Sequence, residues 1–333
     1  MGDMPEGTEI LNALVLMTNF VFVPALAYGS QLALGALGVT LVFGILRFAN
    51  FAHGDLMAFG TTIAILITWA LQASGVSLHY VPTALLALVP AIIVTAIVAI
   101  FIDKAVFTFY RKRKAAPVVF VIASVGVMFM LSAIVRFIMG TEDRRFTDGE
   151  RFVVRALDFK KWSGLDEGLA IQTTQVITVA VTVIVVAALF WFLDRTRTGK
   201  AMRAVAQDRG AAALMGIDVN RTIATAFLIG GVLAGAAGFI ITYYTNSARF
   251  QMGFRYGLFA FTAAVLGGIG NLNGAVLGGL IIGLVWQFSD GFLQQYIPWW
   301  GAQWTPAMIF GVLVLVMVFK PSGLLGESVP EKV

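Results

Sequence analysis

Two short polar segments interrupt an otherwise apolar chain. The first, Arg47-Phe48-Ala49-Asn50-Phe51-Ala52-His53-Gly54-Asp55, crowds Asn50, His53 and Asp55 between the uncharged stretches 10–46 and 56–102. Polar and ionisable groups at membrane depth are costly and mark ion or substrate pathways. Gly54 permits a backbone break, and backbone groups freed by a break are tolerated at depth only where they line a cavity or are buried in protein. The plainer alternative is a short turn, with Arg47 ending one helix and Asp55 capping the next. The second segment is Gly267-Gly268-Ile269-Gly270-Asn271-Leu272-Asn273-Gly274, inside the uncharged run 256–289. So many glycines and asparagines will not hold a regular helix. It is either a hairpin tip at the surface or a second break at depth. Paired Gly-interrupted segments point to a mid-membrane substrate site. The expected substrate path is therefore Asn50, His53, Gly54, Asp55, Gly268, Gly270, Asn271 and Asn273.

A third segment, 194–221, is amphipathic and charged: DRTRTGKAMRAVAQDRGAAALMGIDVNR. Ala201–Ala206 and Ala211–Met215 are good helix formers, broken by Gly210 and closed by Gly216. A short helix of this kind suits docking into a partner's groove. Met202, Leu214 and Ile217 would give the apolar contacts and Arg203 and Asp208 the polar ones. Gly216 and Asp218 would bound the helix end.

Catalytic chemistry is poorly supplied. Cysteine is absent and there are two histidines, His53 and His79, so neither a thiolate site nor a multi-histidine zinc site is expected. The single Gly-Lys pair, Gly199-Lys200, lacks the upstream glycine of a P-loop. The chain should bind no metal or cofactor and catalyse no reaction; ATP, if used, belongs on another chain.

These segments sit in a membrane protein. Of 333 residues 59% are hydrophobic and 12% charged, about half the charge of a soluble domain, and the mean hydropathy is +0.87. This excludes a soluble enzyme and a nucleic-acid-binding domain. The apolar residues come in long runs, which excludes an outer-membrane barrel. Runs without Asp, Glu, Lys or Arg cover 10–46, 56–102, 115–135, 168–193, 222–248, 256–289 and 291–319, against the roughly 20 residues one crossing needs. The first two are expected to hold two passes each, broken near Pro24 or Gly29-Ser30 and within 75–82. The run 256–289 holds one helix or two half-length ones. The fold class is all-α: one membrane domain over 1–333 with about eight to ten passes, two of them discontinuous.

Loop charge sets orientation. Loop 103–114 has five cations against one anion, and loop 194–221 has six against three; both are expected to be cytoplasmic. Loop 141–167, with six cations and seven anions, should face outward. The N-terminus carries Asp3, Glu6 and Glu9 without Lys or Arg, unlike a secretory signal. Tyr296, Trp299, Trp300 and Trp304 suggest an interfacial aromatic belt.

The strings LGVTLVFGILRFANFAHGD, TGKAMRAVAQDRGAAALMGIDVNR and AAVLGGIGNLNGAVLGG resemble the inner-membrane permease subunits of branched-chain amino-acid ABC transporters. The resemblance runs from about Gly29 to Gly323. It implies a helical permease paired with a second, similar or identical one. Two cytoplasmic ATPases would drive it, and a periplasmic binding protein would deliver the substrate. Residues 201–218 would be the coupling helix. The extra apolar stretch 10–25 and the charged loop 141–167 differ from shorter members. The alternatives are a urea or short-amide permease of the same family, or a stand-alone channel or ion-coupled carrier. Against a carrier, the membrane runs lack paired buried carboxylates.

Overall fold

The computed structural model describes residues 6–76, 82–145 and 152–326. It is helical almost throughout. In chain order the helices are α1 (Glu6–Met17), α2 (Val23–Leu46), α3 (Ala52–Ala73), α4 (Leu85–Ile102), α5 (Thr108–Lys112), α6 (Pro117–Met139), α7 (Ala156–Ser163), α8 (Thr173–Arg195), α9 (Arg197–Gln207) and α10 (Arg209–Leu214). They continue with α11 (Val219–Thr245), α12 (Met252–Gly267), α13 (Leu272–Gln287), α14 (Gln294–Tyr296) and α15 (Thr305–Phe319). Eight helical stretches among the described residues are long and apolar enough to cross a membrane, and α12 is a shorter apolar helix beside them. The chain is an all-α polytopic membrane protein.

The first uncharged run is one helix, not two. A π-helical turn, Thr18–Phe22, joins α1 to α2, and Pro24 falls in the first turn of α2. Inside this continuous helix Pro24 cannot donate to the Phe20 carbonyl four residues back; Gln287 Nε2 donates to that carbonyl instead, at 3.0 Å. Gly29-Ser30 does not break α2 either; Gly29 packs against the α13 backbone. The 39-residue stretch Thr8–Leu46 would be about 58 Å long at 1.5 Å per residue, well beyond the hydrocarbon thickness. Its N-terminal part therefore extends past the bilayer. There the Glu167 N–H donates to Asn12 Oδ1 at 3.3 Å and the Ala170 N–H to Asn19 Oδ1 at 3.1 Å. The second run does divide, into α3 and α4; residues 77–81 of the break, with His79, lie outside the described residues. The run 256–289 divides into α12 and α13. Loop 141–167 is described except for 146–151. Two small antiparallel ladders brace it: β1 (Arg144–Arg145) on β4 (Ser247–Ala248), and β2 (Phe152–Val154) on β3 (Ile171–Gln172).

The centre of the bundle is α2, buried along nearly its whole length, packed on α11, α12 and α13. Small residues bring these backbones together. A Cβ on Gly283 would lie 2.4 Å from Gly29 Cα, and one on Gly238 would lie 2.2 Å from the Met57 carbonyl of α3. Close approach replaces the hydrophobic drive that lipid cannot supply. The outer helices expose apolar side chains instead: Ile97 and Phe101 on α4, Phe129 and Phe137 on α6, Val318 and Phe319 on α15.

The basic loops lie together at one end. The Arg47 guanidinium donates to the Ala206 carbonyl at 2.7 Å, and Arg209 Nε donates to the Ile45 carbonyl at 3.0 Å. Burial, with Arg47 and Arg111 nearby, lowers Arg209 from the usual guanidinium value. The ladder joining Arg144–Arg145 to Ser247–Ala248 marks the opposite end.

Candidate functional site: a central path and a basic-end surface

Helix α2 ends at Arg47 in a left-handed conformation, φ 58°. The chain then turns back into the bundle over 47–51. Asn50 organises that turn: its Oδ1 accepts from the Ala52 N–H at 3.2 Å, and its carbonyl from the His53 N–H at 3.3 Å. Ser124 of α6 accepts from the Phe51 N–H at 3.2 Å. Phe48 anchors the turn between Phe107 and Phe120, with ring centroids 5.5 and 5.2 Å away.

Helix α3 therefore starts inside the bundle. His53 rests on Gly38, where a Cβ would come within 2.3 Å of the imidazole. Gly38 is eight residues before Leu46, about 12 Å along the helix. Gly54 meets α12 so closely that a Cβ would lie 2.4 Å from the Gly253 carbonyl. His53 and Asp55 are each 2% exposed. His53 Nε2 has no hydrogen-bond partner among the described residues, while the Asp55 carboxyl meets the Ser132 hydroxyl of α6. A buried polar atom left open is uncommon and asks for a reason.

Three cavities follow one another through this region. The widest, about 550 Å³, lies towards the end opposite the basic loops; Ser132, Ser247, Arg249, Phe254, Arg255 and Tyr256 are among its walls. The second, about 60 Å³, shares Phe254 with the first and is lined by Asn50, Phe51, His53, Gly54 and Phe261. The third, about 10 Å³, shares Asn50 and His53 with the second and reaches towards the basic end between Val42, Ile102 and Phe227. The void thus narrows towards the basic end. The Phe51 and Phe261 rings stand 5.7 Å apart at the second cavity.

The Gly-rich segment stands elsewhere. Asn271 caps α13, accepting from the Gly274 N–H at 3.1 Å, and its amide donates to the Leu325 carbonyl at 2.7 Å. Leu325 N–H in turn donates to the Gly267 carbonyl at 2.9 Å. Gly268 takes φ 108° and packs on Gly326. Gly270 takes φ 96° with open space around its Cβ position, and Asn273 is exposed. Gly268, Gly270, Asn271 and Asn273 build a hairpin tip against the C-terminal segment. None of them lines these three cavities or meets Asn50 and His53.

The basic-end surface is two helices, α9 and α10, divided at Asp208 rather than at Gly210. Asp208 caps α10, accepting from the Gly210 and Ala211 N–H groups at 2.7 and 3.0 Å. Asp218 caps α11 through the Arg221 N–H, and Gly216 takes φ 80° past the end of α10. Arg203 pairs with Asp194 at 2.8 Å, both exposed. Met202 corrects an expectation. It is 1% exposed, packed with Val205 under α9, and it offers nothing to a partner. The apolar residues facing outward are Leu214 and Met215, 90% and 83% exposed; Ile217 is half-buried. A charge-and-apolar alternation does not say which apolar residues turn towards the protein's own membrane domain.

Arg249, Arg255 and Tyr256 line the widest of these cavities and were not singled out in the sequence. Their signal was present: the cations Arg249 and Arg255 fall between two apolar runs, and 219–289 contains no Asp or Glu to pair with them.

Residues 21–318 match the family model described as branched-chain amino acid transport system / permease component. The chain is 35% identical to the high-affinity branched-chain amino acid transport system permease protein BraD of Pseudomonas aeruginosa, over 99% of this chain and 100% of that one. It is 32% identical to the corresponding permease protein LivH of Escherichia coli, over 92% of this chain and 94% of that one. A probable LivH of Methanocaldococcus jannaschii is 26% identical over 91% of this chain and 90% of that one. An apolar helical bundle with an internal row of cavities, matched along nearly its full length, belongs to the permease components of branched-chain amino acid transport systems.

Proposed function

We propose that this chain is a membrane subunit of a bacterial inner-membrane ABC importer for branched-chain or related amino acids. It pairs with a second permease, receives substrate from a periplasmic binding protein and is powered by two separate cytoplasmic ATPases. It performs no covalent chemistry; ATP is bound and hydrolysed on the partner subunits.

The observation that carries this reading is the link between the two regions. The turn that presents Asn50 and His53 to the cavities begins at Arg47, and Arg47 and Ile45 are bonded to Ala206 and Arg209 of α9 and α10. When nucleotide closes the ATPase pair, the partner pushes on Leu214 and Met215. The push passes through Arg47 and Arg209 to the 47–51 turn and opens the narrowing at Phe51 and Phe261. Packed interfaces have discrete arrangements, so a small displacement is converted into a two-state switch. In the closed-below arrangement the wide cavity is open to the outer side. Nucleotide biases the switch only as far as it binds the two states differently.

The test is uptake of labelled leucine into vesicles that carry the assembled transporter, with and without ATP. Uptake should stop on ATP depletion while the membrane potential is held. Uptake that persists would point to a channel or an ion-coupled carrier.

A further inference from the structure

The widest cavity holds two arginines in different states. Arg249 is neutralised: its Nη2 lies 2.5 Å from Asp143 Oδ2. Arg255 makes no ion pair or side-chain hydrogen bond among the described residues. Its guanidinium carbon sits 4.9 Å over the Trp286 ring. That ring is fixed in turn by Tyr28, 4.6 Å away, and Phe259, 5.1 Å away. A cation held over an aromatic face is attracted by the ring quadrupole, and the N–H groups it does not use there can meet a carboxylate, which a guanidinium binds with two hydrogen bonds.

The Arg255 side chain is exposed at the wall of this cavity rather than sealed among the helices. Arg255 belongs to the first turn of α12, flanked by Gly253, which packs on Asp55, and Gly257, which packs on Gly54. Gly54, Gly253 and Gly257 line the second cavity. A cation on a cavity wall with no ion-pair partner among the described residues is open to an anionic group that enters the cavity. The surrounding wall adds Phe250, Met252 and Phe254 on the apolar side and Gln251 and Ser247 on the polar side. The volume, about 550 Å³, lies within the usual range for a small-molecule site.

We infer that Arg255 receives the α-carboxylate of the amino acid at the entrance of the path, while Phe250, Met252 and Phe254 take its apolar side chain. The inference rests on the proposed transport function and adds a recognition residue to it. A site of this kind selects by the carboxylate and accepts several apolar side chains, because one methylene in an apolar pocket discriminates weakly.

The experiment uses the assembled transporter, reconstituted with its ATPases and binding protein. Arg255→Gln should lower ATP-driven leucine uptake at least tenfold while basal ATP hydrolysis and attachment of the binding protein stay at the wild-type level. Arg255→Lys should recover part of the loss. Normal uptake by Arg255→Gln would overturn the inference and leave the transport function standing. So would a loss traced to failed attachment of the binding protein. Absence of leucine uptake by the wild-type complex would instead overturn the transport reading.

A second measurement leaves Arg255 intact. The chain has no native cysteine, so Gln251→Cys gives a single label site in the cavity wall. Leucine should slow its alkylation, and isoamylamine, which is leucine without the carboxylate, should not. Equal protection by both would overturn the role of the carboxylate.

Discussion

Arg47 and Ala206 are 159 residues apart in sequence, yet the Arg47 guanidinium donates to the Ala206 carbonyl at 2.7 Å. This bond joins the last turn of α9 to the residue at which α2 turns back into the bundle. Arg209 repeats the link one helix later, to the Ile45 carbonyl. Arg47 holds a left-handed backbone, φ 58°, which is uncommon for a residue with a Cβ.

The first prediction removes both links. A hydrogen bond made by a charged group has a net worth of about 1.5–3 kcal/mol, and these links lie at the edge of the bundle, so Arg47→Gly with Arg209→Ala should weaken it without unfolding it. Glycine also accepts the left-handed backbone at position 47. The double variant should assemble and hydrolyse ATP at the basal rate, but its leucine uptake should fall at least tenfold. Uptake near normal would show that the push takes another route.

The second prediction separates inner from outer residues on α9 and α10. Leu214→Asp and Met215→Asp should leave melting unchanged and abolish substrate-stimulated ATP hydrolysis, because these side chains face outward. Met202→Asp should instead lower the melting temperature, since burying a carboxylate without a partner costs several kcal/mol. Thermal unfolding in detergent, measured beside ATP hydrolysis, distinguishes the two outcomes.

The third prediction contrasts two glycines. Gly54→Ala places a methyl group 2.4 Å from the Gly253 carbonyl. It should push α3 from α12 and lower uptake strongly. Gly270→Asn meets open space at a positive φ of 96°, which asparagine tolerates better than other side chains. It should keep most of the uptake. Parallel transport assays with western blots for chain abundance check both.

The fourth prediction concerns sidedness. Single cysteines replacing Lys112 and Leu214 should react only with reagent supplied from the cytoplasm, and one replacing Trp162 only from outside. Labelling of the Trp162 position from the cytoplasm would invert the topology.

Hydropathy and loop charge made the membrane fold legible, because lipid restricts spanning segments to continuous helix. The break at 268–271 was legible because Gly268, Gly270 and Asn271 fall together in a cluster of glycines and asparagines that does not favour a helix. The continuity of α1 and α2 was not: Pro24 reads as a breaker, but a π turn precedes it and Gln287 supplies the donor that the Phe20 carbonyl lacks. Both polar segments suggested a path, yet one lines cavities and the other caps a hairpin. Asn50 and Asn271 each satisfy nearby N–H groups, and sequence does not show which capped turn borders a void. Arg255 resembled a loop cation at the edge of an apolar run; its place over Trp286 depends on how α12 and α13 fold back on each other.

The most direct test of ATP-powered transport through this chain is labelled-leucine uptake into proteoliposomes, comparing the chain alone with the chain joined to its partner permease, ATPases and binding protein. The account predicts uptake only by the full assembly, and only with ATP present. Uptake by the chain alone, driven by an ion or substrate gradient, would contradict it.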